Sequence, residues 1–230
     1  MAPQVRPELV VAQDIALAAA ERFLALRPRT VALAGGATPR RLYERMATCD
    51  FPWSETEVFF GDERCVPPDH PDSNYRLASE SLLSKVPARV HRMRGESCDA
   101  AAYEEELSGV FGPGLPQFEL VLLGLGEDGH TASLFPGDPA LEENERRVVH
   151  VQRPDHPRLT LTLPVLSAAK VALFLVAGAS KREALRRLLG GEEIPAARVQ
   201  AKQVVIVADE AAARDLAVVE REQTVERRSR

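Results

Sequence analysis

Asp128 and His130 flank a single glycine in the run Gly124-Leu-Gly-Glu-Asp-Gly-His130, and a carboxylate beside an imidazole is the chemistry of proton transfer. A histidine ordinarily titrates close to neutral pH, so it can take a proton from water and return it to a leaving group. A second charged set, Asp62-Glu63-Arg64, follows the apolar run ending at Phe60. A third stretch, Gly35-Gly36-Ala37-Thr38-Pro39, joins a short apolar segment to a helix start. There free N–H groups, a helix dipole and a hydroxyl converge on one point, which suits an anion. A fourth, Gly178-Ala179-Ser180-Lys181, repeats the glycine turn with a lysine at the mouth of a helix. A lysine in that place opposes the helix dipole unless an anion offsets it. Arg158 adds a further cation at the start of an alternating stretch, Leu159 to Leu163.

Each set also has a plainer reading: a loop histidine that only caps, a solvated charge run, an ordinary strand-to-helix link, a solvated lysine. Gly124 to Gly129 matches the dinucleotide pattern G-x-G-x-x-G, yet Glu127 and Asp128 place negative charge where a pyrophosphate needs positive potential. The next strand also lacks a terminal acid for a ribose. The GGATP stretch is not a P-loop, because no G-K-[ST] follows.

The elements that must position these residues follow from periodicity. Leu120 to Leu123, Val171 to Val176 and Val204 to Val207 are unbroken apolar runs of the kind found in parallel strands covered on both faces. Thr30 to Ala34, Glu57 to Phe60 and Val148 to Val151 read as strands, and Val90 to Met93 as a marginal one. Glu8 to Leu26 reads as one amphipathic helix. Further helices are expected at Arg40 to Ala47 behind Thr38-Pro39, at Tyr75 to Leu83 capped by Ser73, at Asp99 to Phe111, at Arg182 to Leu189 and at Glu210 to Val219. Thr131 is expected to start a short helix stopped by Pro136-Gly137, and the Asp62–Arg64 segment reads as loop. Strands alternate with helices, so the fold class is α/β with a mostly parallel sheet, and ligands in such sheets bind beyond the carboxyl ends of the strands. The decorated turns all stand at such ends. Four signals, each weak alone, converge on one edge.

Length and composition set the frame. A chain of 230 residues with no linker or repeat reads as a single domain, 1–230, with a frayed charged tail at 220–230. The net charge of −5, with both signs interspersed, gives no basic stripe for nucleic acid. No apolar run spans a bilayer and the first residues lack a signal-peptide core, so a cytoplasmic protein without membrane contact is expected. Cys49, Cys65 and Cys98 show no C-x-x-C spacing and are expected to stay unpaired in a reducing compartment. Histidines 70, 91, 130, 150 and 156 show no metal-ligand spacing along the chain, so no metal is expected.

The pieces GGATP at 35–39, GDERCVPPDHPDSNYR at 61–76, LGLGEDGHTASLFPG at 123–137, RLTLTLPVL at 158–166 and the turn Gly178 to Lys181 resemble the 6-phosphogluconolactonase family. They stand in the family's order across most of the chain, and DGHTASLFPG is highly specific. One departure is Ser167, where the family more often has asparagine. The resemblance implies a Rossmann-like three-layer α/β/α fold with a few extra short strands, and hydrolysis of a phosphorylated sugar lactone without cofactor, metal or covalent intermediate. It implies His130 as general base, Asp128 as its orienting partner, and Arg64 on developing charge or sugar hydroxyls with Asp62 positioning it. Gly35, Gly36, Thr38, Arg158 and Lys181 would hold the 6-phosphate. The expected partner is that small molecule, with the chain a monomer or weak homodimer. Two other readings stay open: an amino-sugar phosphate deaminase or isomerase, which shares the Asp-Gly-His loop, the deaminases carrying a glutamate shortly after the histidine, and a non-catalytic sugar-phosphate sensor. Residues 131–135 hold no acid, and His130 is present.

Overall fold

Six consecutive apolar side chains, Val171–Val176, are all buried, which requires a strand with layers packed on both faces. The computed structural model describes residues 6–214 and Leu216. In chain order its strands are β1 (Glu8–Val11), β2 (Thr30–Leu33), β3 (Glu57–Phe60), β4 (Asp62–Arg64), β5 (Arg89–Val90), β6 (Leu120–Gly124), β7 (Val148–Val151), β8 (Arg158–Leu161), β9 (Val171–Val176) and β10 (Gln203–Ala208). The helices are α1 (Ile15–Leu26), α2 (Ala37–Met46), α3 (Asn74–Ser81), α4 (Ala100–Phe111), α5 (Leu163–Ser167), α6 (Arg182–Leu189) and α7 (Glu210–Ala213). Seven strands form one sheet in the order β1-β10-β9-β6-β2-β3-β5, with every pairing parallel. The three others form a small antiparallel sheet, β4-β8-β7. The α/β class with extra short strands is as expected, and no described helix is long and apolar enough to cross a membrane.

Several local expectations are corrected. Glu8 to Leu26 is not one helix. Glu8–Val11 pairs with Val205–Ala208 as the edge strand β1, and the helix starts only after Asp14, whose carboxylate accepts the Leu17 amide at 2.9 Å. Helix α2 begins at Ala37, earlier than Thr38-Pro39 indicates, because Gly36 takes φ 97° and turns the chain into it. Asp62–Arg64 is a strand and not a loop. Thr131 starts no helix: its hydroxyl donates to the Gly124 carbonyl at 2.9 Å, and Thr131 and Leu134 close a tight turn. The marginal strand shrinks to Arg89–Val90. Cys65 and Cys98 form a disulfide with Cα atoms 5.1 Å apart, leaving Cys49 free. Gly95 packs so tightly on the backbone of Arg64 and Val66 that a Cβ there has no room, and this contact brings the distant Cys98 segment alongside Cys65. Of the helix expected to reach Val219, α7 is the observed part, and residues 217–230, including the expected frayed tail, lie outside the described residues.

Ser73 caps α3 and Asp99 caps α4 through their side chains, and β2 is tied at its carboxyl end by a buried tyrosine. The Tyr43 hydroxyl accepts the Ala34 amide at 2.9 Å and donates to the Ala34 carbonyl at 2.7 Å. Burial pushes its phenol far above the ordinary value, so it remains a donor. Tyr43→Phe should cost roughly 1–3 kcal/mol, because it strands two buried backbone groups immediately before Gly35. Urea denaturation of the two proteins measures that difference.

Candidate active site

The carboxyl ends of β9, β6, β2 and β3 are neighbours in the sheet. The chain runs from β2 outward through β3 to β5, then returns to β6 on the other side of β2. The crevice between β2 and β6 is therefore the topological switch point, where open α/β sheets bind ligands. A cavity of about 260 Å³ lies there. Its walls include Gly35, Gly36, Thr38, Asp62, Arg64, His130, Arg158 and Lys181, which is every candidate residue except Asp128.

His130 is held from behind. The Gly126 amide donates to the His130 carbonyl at 2.8 Å and the Gly129 amide to the Gly126 carbonyl at 3.0 Å, closing the loop after β6. Asp128 Oδ1 accepts the His130 amide at 3.0 Å and lies 2.6 Å from its Nδ1. A carboxylate only accepts hydrogen bonds, so the neutral ring carries its proton on Nδ1 and leaves Nε2 as the free base. Burial raises the Asp128 carboxyl, but the amide and ring of His130 outweigh it and hold the carboxyl below its ordinary value. The contribution of this pair to stability is present above the unfolded carboxylate range and is lost as pH falls through the lower folded value. Phe135 packs against the imidazole with ring centres 4.4 Å apart. Gly126 has no room for a side chain, since a Cβ would run into the His130 ring and the Asp128 carboxylate.

The small sheet sets the cations. Arg64 on β4 lies directly opposite Arg158 on β8. Like charges paired across strands repel, so this register is unfavourable unless something negative lies between the guanidinium groups. Arg64 Nη1 donates to the Asp72 carbonyl at 2.6 Å and Arg158 Nη2 to Asp155 at 2.6 Å. The Nε of each is buried without a protein partner among the described residues, a costly state for a donor. The Lys181 amide donates to the Gly178 carbonyl at 3.1 Å, while its ammonium makes no hydrogen bond or ion pair among the described residues. Gly35 is pressed against the Asn74 side chain, with no space for a Cβ.

Among the described residues Asp62 makes no side-chain hydrogen bond or ion pair with Arg64, its neighbour on β4. Its carboxylate accepts Ser133 Oγ at 2.6 Å and Asn74 Nδ2 at 3.1 Å, and it is 7% exposed. Asn74, Ser133 and Glu63 are therefore the residues that sequence reasoning overlooked, although all three stand inside the motifs quoted above. Glu63 accepts the amides of Arg64, Asn74 and Tyr75 at 2.7–2.8 Å and the Ser73 hydroxyl at 3.1 Å. Burial pushes its carboxyl above the ordinary value, against those amide bonds. It ties the end of β4 to the start of α3.

The sequence over residues 8–208 matches the family model for glucosamine-6-phosphate isomerases/6-phosphogluconolactonase. The chain belongs to that family. A 6-phosphogluconolactonase of Synechocystis is 46% identical over 176 residues, covering 72% of this chain and 73% of that one. The 6-phosphogluconolactonase of Trypanosoma brucei superposes with a TM-score of 0.83 at 28% identity, over 92% of this chain and 99% of its own. A monomeric glucosamine-6-phosphate deaminase superposes with a TM-score of 0.77 over 90% of this chain and 99% of its own. At 21% identity that likeness shows the fold alone. Both branches of the family thus share the fold, and the side chains around the cavity must decide between them.

The tautomer of His130 can be read directly. 15N NMR of the ring should show Nδ1 protonated in the neutral state, and Gly126→Ala should abolish that preference by displacing the imidazole from Asp128. An equal mixture of tautomers in the unmutated protein would contradict the pairing.

Proposed function

We propose that this chain hydrolyses 6-phospho-D-glucono-1,5-lactone to 6-phosphogluconate, the lactone-opening step of the oxidative pentose phosphate pathway. The observation that carries this reading is the free Nε2 of His130 in a cavity shared with Arg64, Arg158 and Lys181. A phosphorylated lactone presents a dianion and one activated carbonyl, and the cavity offers cations and one base. Gly35 and Gly36 at the start of α2, with Thr38, Arg158 and Lys181, take the phosphate. Water then lies between His130 Nε2 and the lactone C1. Nε2 removes a proton as the water oxygen bonds to C1, and the carbonyl oxygen becomes an oxyanion facing Arg64. Collapse of the tetrahedral intermediate breaks the C1–O5 bond, and the imidazolium returns the proton to O5. The atoms balance: one water is consumed and one carboxylic acid forms, which ionises.

Asp128 holds the ring in the productive tautomer and supports the imidazolium. Asp62, gripped by Ser133 and Asn74, fixes the floor of the site and orders the strand that carries Arg64. Acid/base catalysis supplies roughly 10²–10⁴-fold, and an oxyanion donor about 10²–10³-fold more. A δ-lactone is a reactive ester, so these factors suffice without a covalent nucleophile.

The alternative of amino-sugar deamination needs a further acid to relay protons to a ring-opened substrate. No acidic residue stands in 131–135, and among the described residues lining the cavity the one carboxylate, Asp62, is committed to Ser133 and Asn74. The proposal is tested by single substitutions assayed on fresh lactone. His130→Ala should lower kcat by about 10²–10⁴-fold while phosphogluconate still binds. Lys181→Ala should instead raise KM by roughly 10-fold with kcat little changed, the loss of one charge-assisted contact. Unchanged turnover in His130→Ala would remove the base assignment.

A further inference from the structure

His70, Asp72 and His156 lie outside the cavity, and nothing in lactone hydrolysis uses their side chains. The two histidines are far apart in sequence, yet their rings meet edge to face with centres 5.3 Å apart. The Asp72 carboxylate stands at both: its Oδ2 is 3.0 Å from His156 Nε2 and 3.8 Å from His70 Nδ1. One ligand atom from each of the three residues falls within 4.8 Å of the others. We propose that His70, Asp72 and His156 form a binding site for a divalent transition-metal ion of the zinc class.

The donor set chooses the class. Two imidazole nitrogens and one carboxylate oxygen suit zinc, cobalt or nickel, whereas magnesium and calcium require oxygen ligands. Three protein ligands leave a coordination position for water, so the site is open. Access is adequate, with side-chain exposures of 36%, 55% and 29% for His70, Asp72 and His156. The supporting loop is already ordered by consecutive turns, His70 amide to Pro67 carbonyl and Ser73 amide to His70 carbonyl, each at 3.0 Å. Little conformational freedom is therefore left to lose when an ion binds. His70 Nδ1 accepts the Asp72 amide at 3.2 Å, so that ring either exchanges this contact for the metal or turns to offer Nε2.

The position gives the site its consequence. Asp72 holds Arg64 through its backbone carbonyl, and His156 lies two residues before Arg158 at the start of β8. The Cys65 amide already bonds the Pro157 carbonyl at 2.8 Å between them. An ion here staples the segment that follows one active-site arginine to the segment that precedes the other. Metal occupancy then restrains the Arg64–Arg158 pair from outside the cavity.

Titration of the full chain with Zn²⁺ by calorimetry, in non-reducing buffer that keeps Cys65 and Cys98 paired, tests this directly. One ion should bind per chain and raise the melting temperature, as any native-state ligand does, while Mg²⁺ gives no shift. His156→Ala and His70→Gln should each weaken binding by at least about 10-fold, with the far-ultraviolet circular dichroism of the unmutated chain. His130→Ala should bind as tightly as the unmutated protein. No zinc binding, binding that survives both ligand substitutions, or binding lost in His130→Ala would each overturn the proposal.

Discussion

Two guanidinium groups facing each other across a pair of short strands are the constraint on which the rest of the site depends. The β4–β8 register sets Arg64 opposite Arg158, an arrangement that costs roughly 0.2–1 kcal/mol in an empty sheet. The surrounding contacts hold it in place. Asp62 anchors one end of β4 to Ser133 and Asn74, and the Asn74 and Tyr75 amides bonded to Glu63 join its middle to α3. Carbonyl and carboxylate acceptors outside the cavity hold one edge of each guanidinium. A phosphate or an oxyanion reverses the sign of the repulsion, and each charge-assisted hydrogen bond to it is worth more than the pairing costs. Under the proposed reaction the cation pair is a feature of function retained against local stability.

The proposed base is built by a different device. The loop after β6 is short and rich in glycine, so its backbone closes on itself and Asp128 sits two residues from the ring it orients. That local geometry fixes the tautomer without help from distant elements. The proposed phosphate end uses backbone at helix starts, where Gly36 and Gly178 take φ 97° and 94°. In the proposed reaction the base and the phosphate cradle thus stand at adjacent strand ends of the large sheet, and the small sheet adds Arg64 and Arg158.

This division explains what was legible in the sequence. Unbroken apolar runs such as Leu120 to Leu123 and Val171 to Val176 announce buried strands, and the turns that follow them announce the site edge. The placement of His130, Lys181 and Gly36 at the cavity is legible because it depends on neighbours a few residues away. Strand β4 is not, because Asp-Glu-Arg has no apolar pattern and its strand character comes wholly from pairing with β8. The same holds for β1, whose Leu-Val-Val fits a helix face as well as an edge strand. The partners of Asp62 are not legible from its neighbours, because Ser133 and Asn74 reach it from distant segments. The Cys65–Cys98 and His70–His156 contacts join segments 33 and 86 residues apart, a separation that ligand-spacing rules cannot see.

The most direct test is the reaction itself. Fresh 6-phosphoglucono-δ-lactone should be mixed with the protein and proton release followed against the spontaneous rate, with ammonia release from glucosamine 6-phosphate measured in parallel. The account predicts acceleration of lactone opening and no ammonia. Ammonia release, or a lactone trace that matches the spontaneous rate, would contradict it.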